Sequence, residues 1–185
     1  MVFRDKIGLI VEGESDRRAL EKIFSKAGIN VEFRIVQGFS VKKINALARE
    51  MRNSGCKKVL ILRDTECKEK IERYEELKDK IRELEGVEVC FAQCSLESWL
   101  LADEEAVESM LREKTKKPVK VESISNPEYV PKPKDKMNEI FRRTRGFKLG
   151  YIEITHAPEI ASRVNVGKLE KKCESFREMM KKIKN

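Results

Sequence analysis

Two hydrophobic periods take turns along the first hundred residues, and that alternation leaves few folds open. Unbroken apolar runs of strand length occupy residues 6–11 (KIGLIV) and 58–62 (KVLIL), with strand-like segments at 31–36 and 87–92. Between them the apolar residues recur every three or four positions, as one face of a helix requires. Ala19, Leu20, Ile23, Phe24 and Ala27 form the first such face, opened by Ser15 and closed by Gly28. Val41, Ile44, Leu47, Ala48 and Met51 form the second, stopped near Asn53-Ser54-Gly55. Ile71, Tyr74, Leu77, Ile81 and Leu84 make a third stripe on a highly charged helix ending at Gly86. Ser95 opens a fourth helix containing Trp99, Leu100 and Leu101. The order β-α-β-α-β-α-β-α, with continuous apolar strands, predicts an α/β fold: a mostly parallel four-stranded sheet flanked by helices.

The pattern changes after about residue 114. Residues 116–134 hold four of the five prolines and read as an irregular connection. Short helices are expected near 135–143 and 158–164, and a last helix over 168–184 with Leu169, Cys173, Phe176, Met180 and Ile183 inward. The reading is therefore an α/β domain over 1–104 and a mainly helical extension over 105–185. Charge divides the same way. Residues 1–104 carry 20 basic and 20 acidic side chains, so the whole net charge of +8 falls in 105–185. A basic extension on a neutral domain suits a polyanionic partner, nucleic acid first; a solvated lysine-rich surface explains the same charge equally well.

No apolar run approaches the ~18 residues of a membrane span, and the N-terminus lacks a signal-peptide pattern. The expectation is a cytoplasmic protein with no membrane partner. The five cysteines (Cys56, Cys67, Cys90, Cys94, Cys173) form no CxxC pair, and with one histidine a zinc finger is not expected. They read as reduced, mostly buried thiols. The Lys/Glu-heavy, glutamine-poor composition resembles hyperthermophile usage, which leaves a disulfide such as Cys90–Cys94 open.

Ligands of open parallel sheets sit outside the carboxyl ends of the strands. Strand one ends in Val11-Glu12-Gly13-Glu14 and strand three in Leu62-Arg63-Asp64-Thr65-Glu66, so Glu12, Asp64 and Glu66 are expected on one edge. Clustered carboxylates repel unless a cation sits among them, and hard oxygen donors without His or thiolate suit Mg²⁺ or Mn²⁺. Gly13 removes a side chain where a phosphate or metal would approach. Glu14 and Asp16 read as acids favoured by a helix N-terminus. Glu97, at the start of the helix after strand four, reads equally as a further metal ligand or as such a helix-start acid. Asp103 reads as a structural helix-end residue and Trp99 as core. His156, the lone histidine, has the unperturbed pKa for proton transfer at neutral pH. Arg142, Arg143, Arg145 and Lys148 are the densest basic cluster and the candidate phosphate-binding residues.

The run Val11-Glu12-Gly13-Glu14-Ser15-Asp16, followed by Leu60-Ile61-Leu62-Arg63-Asp64-Thr65-Glu66, resembles the two motifs of the Toprim domain. That catalytic fold is shared by topoisomerases, bacterial primases, a ribosomal-RNA maturation nuclease and the overcoming-lysogenisation-defect nucleases. Glu97–Asp103, Pro131–Lys134 and His156-Ala157-Pro158 resemble a small uncharacterised Toprim-like family allied to those last nucleases, whose members often accompany ATPases. The resemblance implies a Mg²⁺- or Mn²⁺-dependent nuclease acting on DNA or RNA, with metal on Asp64, Glu66, Glu97 and Glu12, and proton transfer by Glu12 or His156. The family expects Asp-x-Asp where this chain has Asp64-x-Glu66, so Asp64 is the firmer ligand. The chain lacks a G-x-x-x-x-G-K-[ST] loop, so an ATPase partner would be a separate protein. Two other readings stay open. One is a non-catalytic nucleic-acid-binding or ATPase-partner subunit. The other is a receiver-like phosphoacceptor module, against which stands the missing fifth strand before Lys132.

Overall fold

The computed structural model describes residues 5–147 and 149–185. Four strands, β1 (Ile7–Val11), β2 (Val31–Ile35), β3 (Lys58–Asp64) and β4 (Val87–Ala92), form one wholly parallel sheet in the order β2-β1-β3-β4. The helices α1 (Glu14–Ala27), α2 (Val41–Asn53), α3 (Lys70–Arg82) and α4 (Leu96–Leu100) follow the strands in turn. The chain leaves β1 for β2 on one side and reaches β3 on the other, so the order reverses between β1 and β3. Crevices form at such a switch point because the flanking connections part there.

Period-two alternation sends the side chains of β1 and β3 to two different cores. Ile10, Val59 and Ile61 pack with Ile44, Ala48 and Met51 of α2. Leu9, Val11, Leu60 and Leu62 face the larger core, built with Leu20, Ile23 and Phe24 of α1 and with the C-terminal helices. Those helices are α5 (Glu104–Thr115), α6 (Pro133–Arg143), α7 (Glu153–Ala161), α8 (Val166–Lys172) and α9 (Glu174–Lys184), with a 3₁₀ turn at Pro127–Tyr129 in the irregular connection. Met110, Phe141, Ile160 and Phe176 enter the same cluster as the sheet residues, so the C-terminal part completes the core of the N-terminal one. The described residues contain no fifth strand, and no described helix is long and apolar enough to cross a membrane.

Three details depart from the sequence reading. The third stripe is mostly outside: Leu77 is buried, but Ile71 is 79% exposed and Tyr74 44%. The sheet face next to α3 is already covered by α2, so α3 keeps one anchor. The last helix is two helices, because the backbone turns extended at Cys173. The cause lies in Glu128, a buried carboxylate of the 3₁₀ turn. It accepts the N–H groups of Glu174 (2.7 Å) and Ser175 (3.1 Å), which a continuous helix would have used internally. Finally, Cys67 and Cys94 are joined in a disulfide. Cys90 is not in it, because it points into the large core four residues before Cys94; with Cys56 and Cys173 it is a buried free thiol, as expected.

Ser175 adds to the Glu128 contact. Its hydroxyl donates to the Glu128 carboxylate and accepts from Trp99 Nε1 (2.9 Å) and from the Gln93 N–H (3.2 Å). Trp99 is fully buried against Phe176, as expected of a core residue.

Glu128→Ala would orphan one buried and one part-buried amide and one hydroxyl, at a cost of about 2–4 kcal/mol. Urea denaturation should show a lower midpoint with an unchanged slope; an unchanged midpoint would mean that α8 and α9 fuse without penalty. Thiol titration in denaturant without reductant should count three thiols, and five after reduction.

Candidate functional site

Register decides which acids meet. Ile10 pairs with Ile61 across β1 and β3, which puts Glu12 level with Arg63 rather than with Asp64. Arg63 and Glu12 form an ion pair at 3.1 Å on the α2 side, where Arg63 also donates to Gly38 O and lies over the Phe39 ring. Asp64, one residue on, turns to the opposite face with Leu60 and Leu62. Glu12 and Asp64 thus share the carboxyl edge of the sheet but lie on its two sides.

On its own side Asp64 meets acids from the segments that follow β1 and β4. Its carboxyl is pushed well up, chiefly by burial, then by Asp16 at the start of α1 and Glu97 in α4, with Glu12 a smaller contributor. Asp16 is raised to about 6 by burial and by the charges of Glu153 and Glu97. Glu97, almost fully buried, is raised by burial even though Ser95 Oγ donates to it at 2.7 Å. Tyr151 donates its hydroxyl to the other Glu97 oxygen at 3.3 Å, and burial beside Glu97 keeps that phenol protonated. Glu153, the first residue of α7, accepts from Ser15 Oγ (2.7 Å) and from Lys134 Nζ (2.9 Å). Lys134 stands at the start of α6. Burial alone would lower its pKa, but Glu97, Glu153 and Asp64 outweigh that and hold it charged.

The expected site residues divide accordingly. Asp64 and Glu97 come together. Glu12 stays on the same edge, behind Arg63. Glu66 turns outward with positive φ and pairs with Arg73 at 2.7 Å, so it does not face Asp64. His156 is buried among Phe141, Phe147 and Tyr151. Its Nδ1 accepts the Ile152 N–H at the start of α7 (2.8 Å), and burial lowers its pKa. That is a capping and packing role behind Tyr151, and no carboxylate of the cluster is hydrogen-bonded to it. Asp103 is structural as expected, accepting from the Asn165 N–H (2.7 Å) and Lys168 Nζ (3.1 Å). Arg143 and Arg145 line a cavity away from these acids, Arg142 faces Gly150, and Lys148 lies outside the described residues.

Sequence reasoning missed Asp16, Lys134, Tyr151 and Glu153 as members of one cluster. Glu14, read like Asp16 as a helix-start acid, does behave so: the guanidiniums of Arg17 and Arg18 hold it down at about 2. Asp16, two residues further round the helix, points at Asp64 instead. Gly13 lies beside it, and a Cβ there would make only ordinary contact with Asp16 Oδ2 at 3.6 Å.

Asp16, Asp64 and Glu97 are hard oxygen donors, each pushed toward its neutral form, and a divalent cation placed among them would reverse all three shifts. Among the described residues no three His, Cys, Asp or Glu side chains already stand close enough to share one ion. The donor chemistry fits Mg²⁺ or Mn²⁺; the carboxylates would have to be drawn in around it.

A family model described as "Domain of unknown function (DUF4276)" matches residues 11–184, which takes in every residue of this cluster. The chain belongs to the DUF4276 family. No curated protein and no solved structure matches this DUF4276 chain.

The raised carboxyls carry a sign. An acid whose folded pKa lies above its unfolded value stabilises the fold while protonated and loses that contribution as pH rises through the folded pKa. Without metal, this DUF4276 chain should therefore lose stability between about pH 4 and about 6 on account of Asp16. Asp16→Asn should flatten that loss and gain about 1–3 kcal/mol at pH 7, and Asp64→Asn should likewise be more stable than wild type at pH 7. Thermal melts in EDTA at pH 4.5 and 7 test it; variants less stable than wild type at pH 7 would mean that these carboxylates brace the fold.

Proposed function

We propose that this chain is a nuclease that hydrolyses phosphodiester bonds in nucleic acid with the help of Mg²⁺ or Mn²⁺. The observation that carries the reading is the convergence of Asp16, Asp64 and Glu97 at the sheet's switch point, raised toward neutrality with a lysine beside them. A fold gains nothing in stability from burying like charges together, so such a cluster points to a cationic ligand. The resemblance of the Glu12-Gly13 and Asp64-x-Glu66 segments to Toprim motifs supports the same chemistry.

Asp64, Asp16 and Glu97 would hold the ion, which when bound polarises a phosphate and makes a bound water more acidic. Ser95 and Tyr151 fix the two oxygens of Glu97 and so set the direction in which it offers its lone pairs. Lys134, oriented by Glu153, places a positive charge beside the cluster, where charge builds on a phosphate under attack. Glu12, 47% exposed on the same edge and paired with Arg63, would move a proton at the attacking or leaving oxygen. Its ion pair with Arg63 keeps it at that edge.

A second reading, a non-catalytic subunit that binds nucleic acid or serves a separate ATPase, draws on Glu66. That residue is committed to Arg73 and leaves Asp64 without its sequence neighbour as a co-ligand.

The two readings separate in a cleavage time course on supercoiled plasmid, linear DNA and structured RNA, with Mg²⁺, Mn²⁺ and EDTA. Metal-dependent cutting is expected, reduced roughly 100-fold or more in Asp64→Asn and roughly 10- to 100-fold in Glu97→Gln and Glu12→Gln. His156→Gln should cut at wild-type rate once its lower stability is allowed for. Binding without cutting under every metal condition would favour the second reading.

A further inference from the structure

Away from the acid cluster, the connection after α5 and the outer face of α6 enclose a cavity of about 400 Å³. Its rim carries Lys117, Lys120, Lys136, Arg143 and Arg145 against a single acid, Glu122. Lys136 and Arg143 are shared with Glu139 on their own helix. Lys117, Lys120 and Arg145 form no ion pair among the described residues, so three cations face one cavity with Glu122 alone to offset them. That excess of positive charge favours a visiting anion.

The walls are built rather than loose. Lys116 turns the chain out of α5 in the left-handed region, and the Val121 N–H is held by Glu108 at 2.8 Å. On the far wall, Gly146 follows Arg145 with a φ of +112, which L side chains rarely adopt, and lies beside Thr115 of the opposite lining. Inside the ring of charge, Val119 and Ile140 offer an apolar surface, and no aromatic side chain among the described residues lines the cavity.

We propose that this cavity is a second nucleic-acid contact, taking one nucleotide unit of a single strand with its phosphates on Lys117, Lys120 and Arg145. The volume lies at the small end of ligand pockets and admits a nucleotide but no duplex. The sugar and base would lie against Val119 and Ile140. With no aromatic platform and no buried donor reading a base edge, binding is dominated by phosphate and indifferent to sequence. The assignment deepens the nuclease reading by giving its substrate an anchor outside the acid cluster, and it rests on that reading for the identity of the polyanion.

The test is fluorescence anisotropy of labelled single strands of DNA and RNA, about twelve nucleotides long to cover one such groove, on the full chain in EDTA. A salt series is run, with unlabelled duplex, AMP and inorganic phosphate as competitors. Replacing Lys117, Lys120 and Arg145 together by Gln touches only side chains without an acidic partner. It should weaken strand binding roughly tenfold or more and reduce the log–log salt slope by about 0.7 to 1.4, at ~0.7 for each of the one or two phosphates that flank a single nucleotide. Lys22, Lys42 and Lys43 replaced by Gln remove the same charge from α1 and α2 and should change binding far less. Equal weakening in the two triple variants, or an unchanged salt slope in the first, overturns the proposal. So does saturation of the site by AMP or phosphate with no strand binding, which would make it a site for a free anion. Strand binding through these residues by a protein that never cuts leaves the site standing and sinks only the hydrolysis.

Discussion

The hydroxyl of Ser175 is where the two halves of the chain are tied. It accepts from the Trp99 indole and the Gln93 amide and donates to Glu128, which uses every hydrogen-bonding capacity a serine hydroxyl has. Each partner belongs to a different stretch: the helix bearing Glu97, the loop after β4, and the turn at Pro127–Tyr129. Buried hydrogen bonds to a carboxyl group are strong when complete and costly when broken. The knot therefore fixes α4 against α9, and α4 in turn holds Glu97 at the edge of the sheet. Without the C-terminal helices the sheet would lack one wall of its larger core, and Glu97 would lose the Tyr151 hydroxyl.

At that edge stability and chemistry pull in opposite directions. The core under the strands is apolar on both faces, and the acids sit at the one place where the connections part. Burial and mutual charge press Asp16, Asp64 and Glu97 toward their neutral forms. Lys134 offsets only part of this, since it is shared with Glu153. The stored electrostatic free energy is available to whatever cation or phosphate-bearing partner arrives, which is how functional sites commonly differ from the rest of a fold.

Much of this is legible in the sequence, and the misses have physical causes. The strands and the first two helices follow from local hydrophobic period, because each buries a face of its own. The third helix shows the same period but has little left to bury, since α2 already covers the adjacent face; period alone cannot report that. The break at Cys173 depends on a carboxylate 46 residues before Glu174. Asp16 resembles Glu14 because both are helix-start acids, and only tertiary placement sends one to arginines and the other to Asp64. Lys134 and Glu153 come from the region with the weakest pattern, and nothing local says that it folds over the sheet. The separation of Glu12 from Asp64 is in principle readable: once β1 and β3 are neighbours in register, parity assigns the two acids to opposite faces.

The Cys67–Cys94 bridge closes residues 67–94 into a covalent ring, with a sequence separation of 27. In the chain-entropy picture a ring of that size removes about 3–4 kcal/mol of freedom from the unfolded chain. The ring encloses α3, the helix with a single buried anchor, together with β4. It thereby closes off α3, whose buried side chain is Leu77. α3 can fray, or its backbone be nicked, while both ends of the ring stay pinned where β3 and β4 deliver Asp64 and Glu97. Any fraying of α3 would thus stay within a segment closed off from the acids.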